Sequence, residues 1–213
     1  MTVDAPTTLE PAFSVLDAEP VLHQAAPVLR FHLHVTDPLG RDVQAIALST
    51  QIGLDPARRS YDDDTRARLV DLFGAPDRWP STTQAISWGR VDTLVKAFVG
   101  ATSFTVDLPC TYDLEVAATK YLYSLPDGEA PLSLLFNGMV LYREHDRLQV
   151  AQVPWSCTAR WRLPVATWKR LMAAYYPGGG WVRLHTETLD ALAQRKAERG
   201  DHSFDDTIRG LLS

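Results

Sequence analysis

Apolar and polar positions alternate with a period of two along most of the chain up to Leu163, and a helical period takes over beyond it. The clearest run is Leu29–Val35: Leu29, Phe31, Leu33 and Val35 point one way and Arg30, His32 and His34 the other. That pattern marks a strand with one buried and one wetter face. Asp37-Pro-Leu-Gly40 reads as a turn, with proline presetting φ and glycine free to take a positive one. Gln44, Ile46, Leu48, Thr50 and Ile52 then share one side of a second strand, so the two runs predict a β-hairpin. Phe13 and Val15 begin a short first strand, and Pro20 and Pro27 bracket an irregular piece. Ile86 with Trp88, and Phe104 with Val106 and Leu108, predict further strands, while 91–98 fits either period. Tyr112–Tyr123 alternates and reads as a strand, although its alanine-rich second half also suits a helix. Pro126-Asp-Gly128 is a turn. Leu132, Leu134, Phe136 and Val140 follow on one strand, with Gly138 as a bulge or close-packing point. Leu148, Val150 and Val153, then Cys157, Ala159, Trp161 and Leu163, continue the sheet, and Trp161 and Cys157 are expected in the core.

The helical signals are fewer. Over 62–73, Leu69, Leu72 and Phe73 share a face, the aspartates at 62–64 offer an N-cap, and Gly74 is a stop. After Pro164 the residues Val165, Trp168, Leu171, Met172 and Tyr175 fit one helix face, which Pro177-Gly-Gly-Gly180 ends. Trp181 and Leu184 are expected to anchor a crossover. Leu189 and Leu192 line a second helix over 186–199, and Ser203 with Asp206 forms a capping box that opens a last one. About eight strands, one inserted helix and two or three C-terminal helices predict an α+β fold: an antiparallel β-sandwich or strongly bent sheet with helices on one face or edge. Residues 1–11 read as a flexible lead-in and 12–213 as a single domain, β-rich over 12–163 and helical over 164–213.

Composition narrows the function classes. A chain of 213 residues buries enough surface to need no disulfide or metal. The net charge of -5 comes without a basic stripe, since Arg58-Arg59 is followed by Asp62-Asp63-Asp64, so nucleic acid is not an expected partner. No apolar run reaches the ~20 residues of a membrane helix, so no membrane insertion is expected. The N-terminus lacks a charged-then-apolar signal pattern, so the chain is expected in the cytoplasm with Cys110 and Cys157 reduced, a disulfide between them being the alternative.

Candidate chemistry is sparse. His32 and His34, at i and i+2 of a strand, project from one face and offer two ligands to a metal, with His23 or Asp37 as a third at no informative spacing. The competing reading is two polar residues on a wet face. Cys110 offers a thiol, but no Cys-x-x-Cys or catalytic context surrounds it, and cysteine is commonly buried. Asp113 and Glu115 fall on one face as a carboxylate pair; the competing readings are a solvated face opposite Leu114 and Val116, or ion pairs with Arg58 or Arg59. Gly178–Gly180 lacks the Lys-Ser/Thr of a phosphate loop, and no serine sits in a Gly-x-Ser-x-Gly elbow. No cofactor is expected. The six tryptophans belong mostly to the core, with at least one expected exception at an exposed patch.

The strings Pro109-Cys-Thr-Tyr-Asp-Leu-Glu-Val-Ala-Ala118 with Lys120-Tyr121, Leu134-Leu-Phe-Asn-Gly138, Val153-Pro-Trp155, and Pro177-Gly-Gly-Gly-Trp181 with Leu189-Asp-Ala-Leu192 resemble an uncharacterised actinobacterial family. The resemblance spans nearly the whole chain. Genes of that family often lie near those for an uptake nickel–iron hydrogenase and its maturation factors, which implies an accessory role and no mechanism. The order of sheet, helix, glycine-rich crossover and Asp190-Ala-Leu192 is also similar, at the level of fold alone, to SecB-type export chaperones, though the spacing differs.

These readings converge on a non-enzymatic binding or assembly protein whose partner is another protein, with a hydrogenase subunit or maturation factor as the partner the resemblance implies. An unpaired sheet face is one way to build the interface. The preferred one is the C-terminal region, where Tyr175, Tyr176 and Trp181 flank a glycine hinge. The alternative is a metal-binding or thiol-dependent enzyme using His32, His34 or Cys110.

Overall fold

A computed structural model describes residues 10–213, so positions 1–9 of the expected lead-in lie outside the described residues. The fold is α+β, with two antiparallel sheets. β1 (Ala12–Val21), β2 (Val28–Thr36) and β5 (Ala101–Pro109) form the smaller sheet in the order β1-β2-β5. β4 (Ile86–Val99), β3 (Asp42–Leu54), β6 (Glu129–Glu144) and β7 (Arg147–Val153) form the larger one in that order. β8 (Thr158–Pro164) also pairs with β6. β6 is shared along its length: Gly138–Glu144 pair with β7 and Glu129–Leu135 with β8, which therefore lie end to end along one edge.

The alternation read along β2 is the packing rule of the fold. Leu29, Phe31, Leu33 and Val35 are fully buried, and Ile46, Leu48, Thr50 and Ile52 of β3 supply part of the facing layer. Phe13 of β1 stacks on Phe136 of β6 at 4.2 Å, and Phe31 meets Trp88 and Trp161 edge-on at 6.5 and 6.2 Å. Offset and edge-on aromatic pairs of this kind add about 0.5–1.5 kcal/mol beyond their buried area. Gly138 has φ +156°, and a Cβ there would run into the carbonyl oxygen of Ala47 on β3. It is the close-packing point that the sequence suggested.

The expected hairpin between the second and third strands does not form. β2 pairs with β1 and β5, and β3 with β4 and β6, so the turn after β2 carries the chain from one sheet to the other. Asp37 makes this possible. It is 4% exposed, its amide donates to the Gly100 carbonyl at 2.7 Å, and its carboxylate accepts from the amides of Leu39 and Arg41 at 3.1 and 2.9 Å. Gly100 sits at the β4–β5 junction, itself a passage between sheets, so one hydrogen bond ties the two crossovers together. Alternation identifies a strand's faces and says nothing of its neighbour.

The helices fill the ends. α1 (Asp63–Phe73) is capped by Asp62, whose carboxylate accepts from Thr65 N at 2.7 Å, and stops at Gly74 with φ +77°. α2 (Trp79–Thr82) is a single turn. The strand expected over 112–123 is instead a loop followed by α3 (Ala117–Ser124). Ala118, Tyr121, Leu122 and Leu125 are buried at helical spacing, which outweighs the short alternation before it. α4 (Val165–Tyr175) buries Val165, Trp168, Leu171 and Met172, the face predicted for it. α5 (Thr186–Arg199) has the predicted bounds, and α6 (Phe204–Leu212) opens on the predicted capping box. Trp161 shares the inward phase of Ala159 and Leu163 but lies half-buried on β8, short of the full burial expected. Among the described residues no helix is long and apolar enough to cross a membrane.

Candidate functional site

The C-terminal aromatic residues divide among three roles. Tyr175, at the end of α4, is a fastener: its hydroxyl donates to the Val21 carbonyl at 3.0 Å and accepts from the Gln24 amide at 2.9 Å. It therefore seals α4 to the β1–β2 turn. Tyr176 faces elsewhere, with its ring 5.4 Å from that of Tyr112. Trp181 is 55% exposed, and the crossover that carries it is pinned by a hydrogen bond from Leu114 N to the Trp181 carbonyl at 3.3 Å. The sequence reading grouped Tyr175, Tyr176 and Trp181; both tyrosines are half-buried and turned to different neighbours, and Trp181 alone of the three is exposed.

Tyr176 belongs to a hollow of about 790 Å³ beneath the glycine loop. Tyr112 is its hub, with rings of Tyr123, Trp168 and Tyr176 at 6.2, 5.8 and 5.4 Å. Trp168, fully buried, forms the floor together with Met172, and Gly178 and Gly179 form part of the rim. Among the described residues two cations line it, Arg68 from α1 and Lys169 from α4, and no acidic residue does. Lys169 donates one hydrogen bond to the Pro126 carbonyl at 2.7 Å. Arg68 makes no hydrogen bond or ion pair among the described residues, and Asp62 acts on it only through space. Burial, with Tyr123 close by, pushes the Tyr112 phenol upward, so it stays protonated at neutral pH. This site draws on positions 68, 112, 123, 168 and 176, and no local spacing in the sequence announces it.

Beyond Trp181 the chain forms an arm. α5 and α6 pack on each other, yet α5 buries none of its residues. Ser203 caps α6 by accepting from Asp206 N at 3.1 Å, and Lys196 lies over the Phe204 ring at 5.9 Å. Trp181, Val182, Leu184, Leu189, Ile208 and Leu211 are all exposed, and Leu212 is 83% so. The expectation that the Trp181 and Leu184 side chains anchor the crossover is thereby corrected. Among the described residues α5 and α6 pack chiefly on each other, and the outer part of each apolar stripe is exposed.

A second apolar surface lies on the outer side of the larger sheet. Ala47 of β3 has Leu94 and Met139 as its cross-strand neighbours, and both are exposed, as is Val150 of β7. Trp155 stands at its edge, 87% exposed at the tip of the turn closed by Cys157 N donating to the Pro154 carbonyl at 3.0 Å. Its sequence neighbours Val153 and Cys157 are buried. The turn lifts it out, and it is an instance of the exposed tryptophan anticipated.

The catalytic candidates are drawn into structural contacts. His32 Nε2 pairs with Glu19 Oε1 at 2.9 Å and His34 Nδ1 with Ser103 Oγ at 3.2 Å, on the wet face of the smaller sheet. His23 lies in the turn before β2, and the Asp37 carboxylate is occupied at the crossover. Among the described residues no three His, Cys, Asp or Glu side chains gather as a metal site. Cys110 is buried, its Sγ donates to the Leu108 carbonyl at 3.5 Å, and burial pushes its thiol up to about 12. Cys157 is also buried, and its Sγ donates to the Pro11 carbonyl at 3.4 Å; the two cysteines are not bonded to each other. Asp113 and Glu115 lie in the loop before α3, where Asp113 Oδ1 accepts from Glu115 N at 3.0 Å. Neither meets Arg59, whose guanidinium donates to the carbonyls of Glu129 and Asp127 at 2.8 and 2.9 Å.

No curated protein matches the chain. Among solved structures it is similar to a β-glucosidase from Kluyveromyces marxianus, at 7% identity and a TM-score of 0.26, over 72% of this chain and 15% of that one. It is also similar to a late embryogenesis abundant (LEA) protein, at 12% identity and a TM-score of 0.27, over 72% of this chain and 71% of that one. Superpositions this loose carry no argument. The family match is of another order, because it runs over residues 8–213: the chain belongs to DUF6084, a family of unknown function.

Proposed function

We propose that this protein is a non-enzymatic binding or assembly factor that holds another protein against its C-terminal arm. The observation that carries the reading is the arm itself: α5 buries none of its residues, while Trp181, Leu184, Leu189, Ile208 and Leu211 stand exposed around it. Exposed apolar surface is costly in water at about 25 cal/mol per Å² and is retained chiefly where a partner covers it. Tryptophan near such a surface supplies a large, rigid anchor at small entropic cost. The role needs no cofactor, nucleic acid or membrane insertion, and it suits a cytoplasmic protein. The resemblance to proteins encoded beside uptake nickel–iron hydrogenase genes makes a hydrogenase subunit or maturation factor the first partner to test.

The enzyme reading draws little support from the geometry. A thiol raised to about 12 by burial is un-ionised at neutral pH, and the Cys110 Sγ donates to the Leu108 carbonyl and not to a base. The test is affinity capture from the native host with wild-type protein and with Trp181→Ser and Ile208→Ser variants whose circular dichroism matches wild type. The proposal expects a partner with wild type that both variants lose. A partner retained by both variants removes the arm from the interface. A measurable activity abolished by Cys110→Ser favours the enzyme.

A further inference from the structure

We propose that the hollow bounded by Tyr112, Tyr123, Trp168 and Tyr176 is a binding site for a small organic acid, with an apolar, preferably aromatic, body and one carboxylate. The lining divides into the two parts such a ligand needs. The Trp168 and Met172 floor and the tyrosine walls offer apolar and π surface. Arg68 and Lys169 supply two positive charges to a protein whose net charge is -5. Among the described residues no carboxylate lines the hollow to neutralise them.

Arg68 is the discriminating group. A guanidinium without a hydrogen-bonding partner among the described residues presents its planar fork to an incoming carboxylate, which it grips bidentately. Lys169 keeps donor capacity beyond its one bond to Pro126. The volume of about 790 Å³ lies in the range of small-molecule sites. An anion without an apolar body would leave the aromatic walls unused, and a neutral aromatic would leave Arg68 unused.

The site is separate from the arm: Trp181 and α5 do not line it, so failure of either proposal leaves the other standing. The probes are 3-phenylpropionate and 3-phenylpropanamide, which share a body and differ in charge, titrated into the full chain and followed by NMR and calorimetry. The expected result is saturable binding of the acid in the roughly millimolar range or tighter. Its shifts should be confined to Tyr112, Tyr123, Trp168 and Tyr176, and the amide should bind about tenfold more weakly. Arg68→Gln should bring the acid down to the amide's affinity. Arg66→Gln, on the same helix but paired with Asp63 at 3.2 Å, should leave the acid's affinity unchanged. Absence of saturable binding, equal affinity for acid and amide, or full acid affinity in Arg68→Gln would each overturn the assignment.

Discussion

The Tyr175 hydroxyl donates to the carbonyl oxygen of Val21, 154 positions earlier, across 3.0 Å. The phenol oxygen of Tyr175 in turn accepts from Gln24 N, so one phenol joins the end of α4 to the β1–β2 turn and fixes where the glycine loop begins. Its neighbour Tyr176 is thereby turned toward Tyr112 and the hollow. Tyr175→Phe keeps the ring and removes both bonds. Because the site is partly open to water, the expected cost is about 1 kcal/mol, read as a lower denaturant midpoint at unchanged m. An unchanged midpoint would show that the hydroxyl does not hold this end together.

Gly138→Ala should be far more damaging. The added Cβ meets the backbone of Ala47, and φ of +156° is itself unfavourable for alanine. Strain and overpacking together put the loss above about 2 kcal/mol. Chemical denaturation checks it, and a variant within error of wild type would mean that β3 and β6 yield easily there.

Asp37→Ala removes the acceptor for the Leu39 and Arg41 amides and leaves the Arg41 side chain, stacked 4.2 Å over Tyr142, without its carboxylate. A loss of about 2–4 kcal/mol is expected from a buried charge left unpaired at the crossover. Asp37→Asn, which keeps one acceptor oxygen, should lose less, and equal losses would argue against the hydrogen-bonding role.

Acid should destabilise the fold in a defined window. The Arg30 guanidinium, bonded twice to Asp107 at 2.7 Å, holds that carboxyl below the usual carboxylate range, and the cap bonds do the same for Asp62 and Asp206. A depressed folded-state pKa contributes stability above the unfolded value of about 3.9 and loses it as pH falls through the lower, folded value. Thermal midpoints should therefore be flat near neutrality and fall below about pH 4, and Asp107→Asn should shallow that acid limb. A limb of the same steepness in Asp107→Asn would place the linkage elsewhere.

The native thiols should be inert. With Cys110 raised to about 12 and Cys157 also raised by burial, a thiol reagent at pH 8 should label neither until the chain is unfolded in guanidinium. Rapid labelling of Cys110 in folded protein would reopen thiol chemistry.

Legibility from sequence followed the locality of the cause. The faces of β2, the α4 stripe, the α5 bounds and the Ser203–Asp206 box depend on neighbours within a few positions, and each was readable. The 112–123 segment carries two periods at once, and the burial of Tyr121 against Tyr61, hydroxyl to hydroxyl at 2.8 Å, decides for helix. The crossing at Asp37 depends on Gly100, far away in sequence. Trp155 and Trp168 are the same residue type with opposite fates, set by a turn in one case and a helix face in the other. The hollow gathers α1, α3, α4 and two loops, and only the assembled fold brings Arg68 to Tyr112.

The arm is the centre of this account, and contact at Trp181 tests it most directly. A photo-crosslinking phenylalanine analogue placed at position 181 in the native host, with the same analogue at exposed position 123 and at position 155 as comparisons, reads out what touches the arm. A discrete protein adduct at 181, lost when Ile208 and Leu211 are both changed to serine in a protein that keeps its thermal midpoint, is the predicted result. Adducts formed only at 155, or an adduct at 181 that survives the double change, would contradict it.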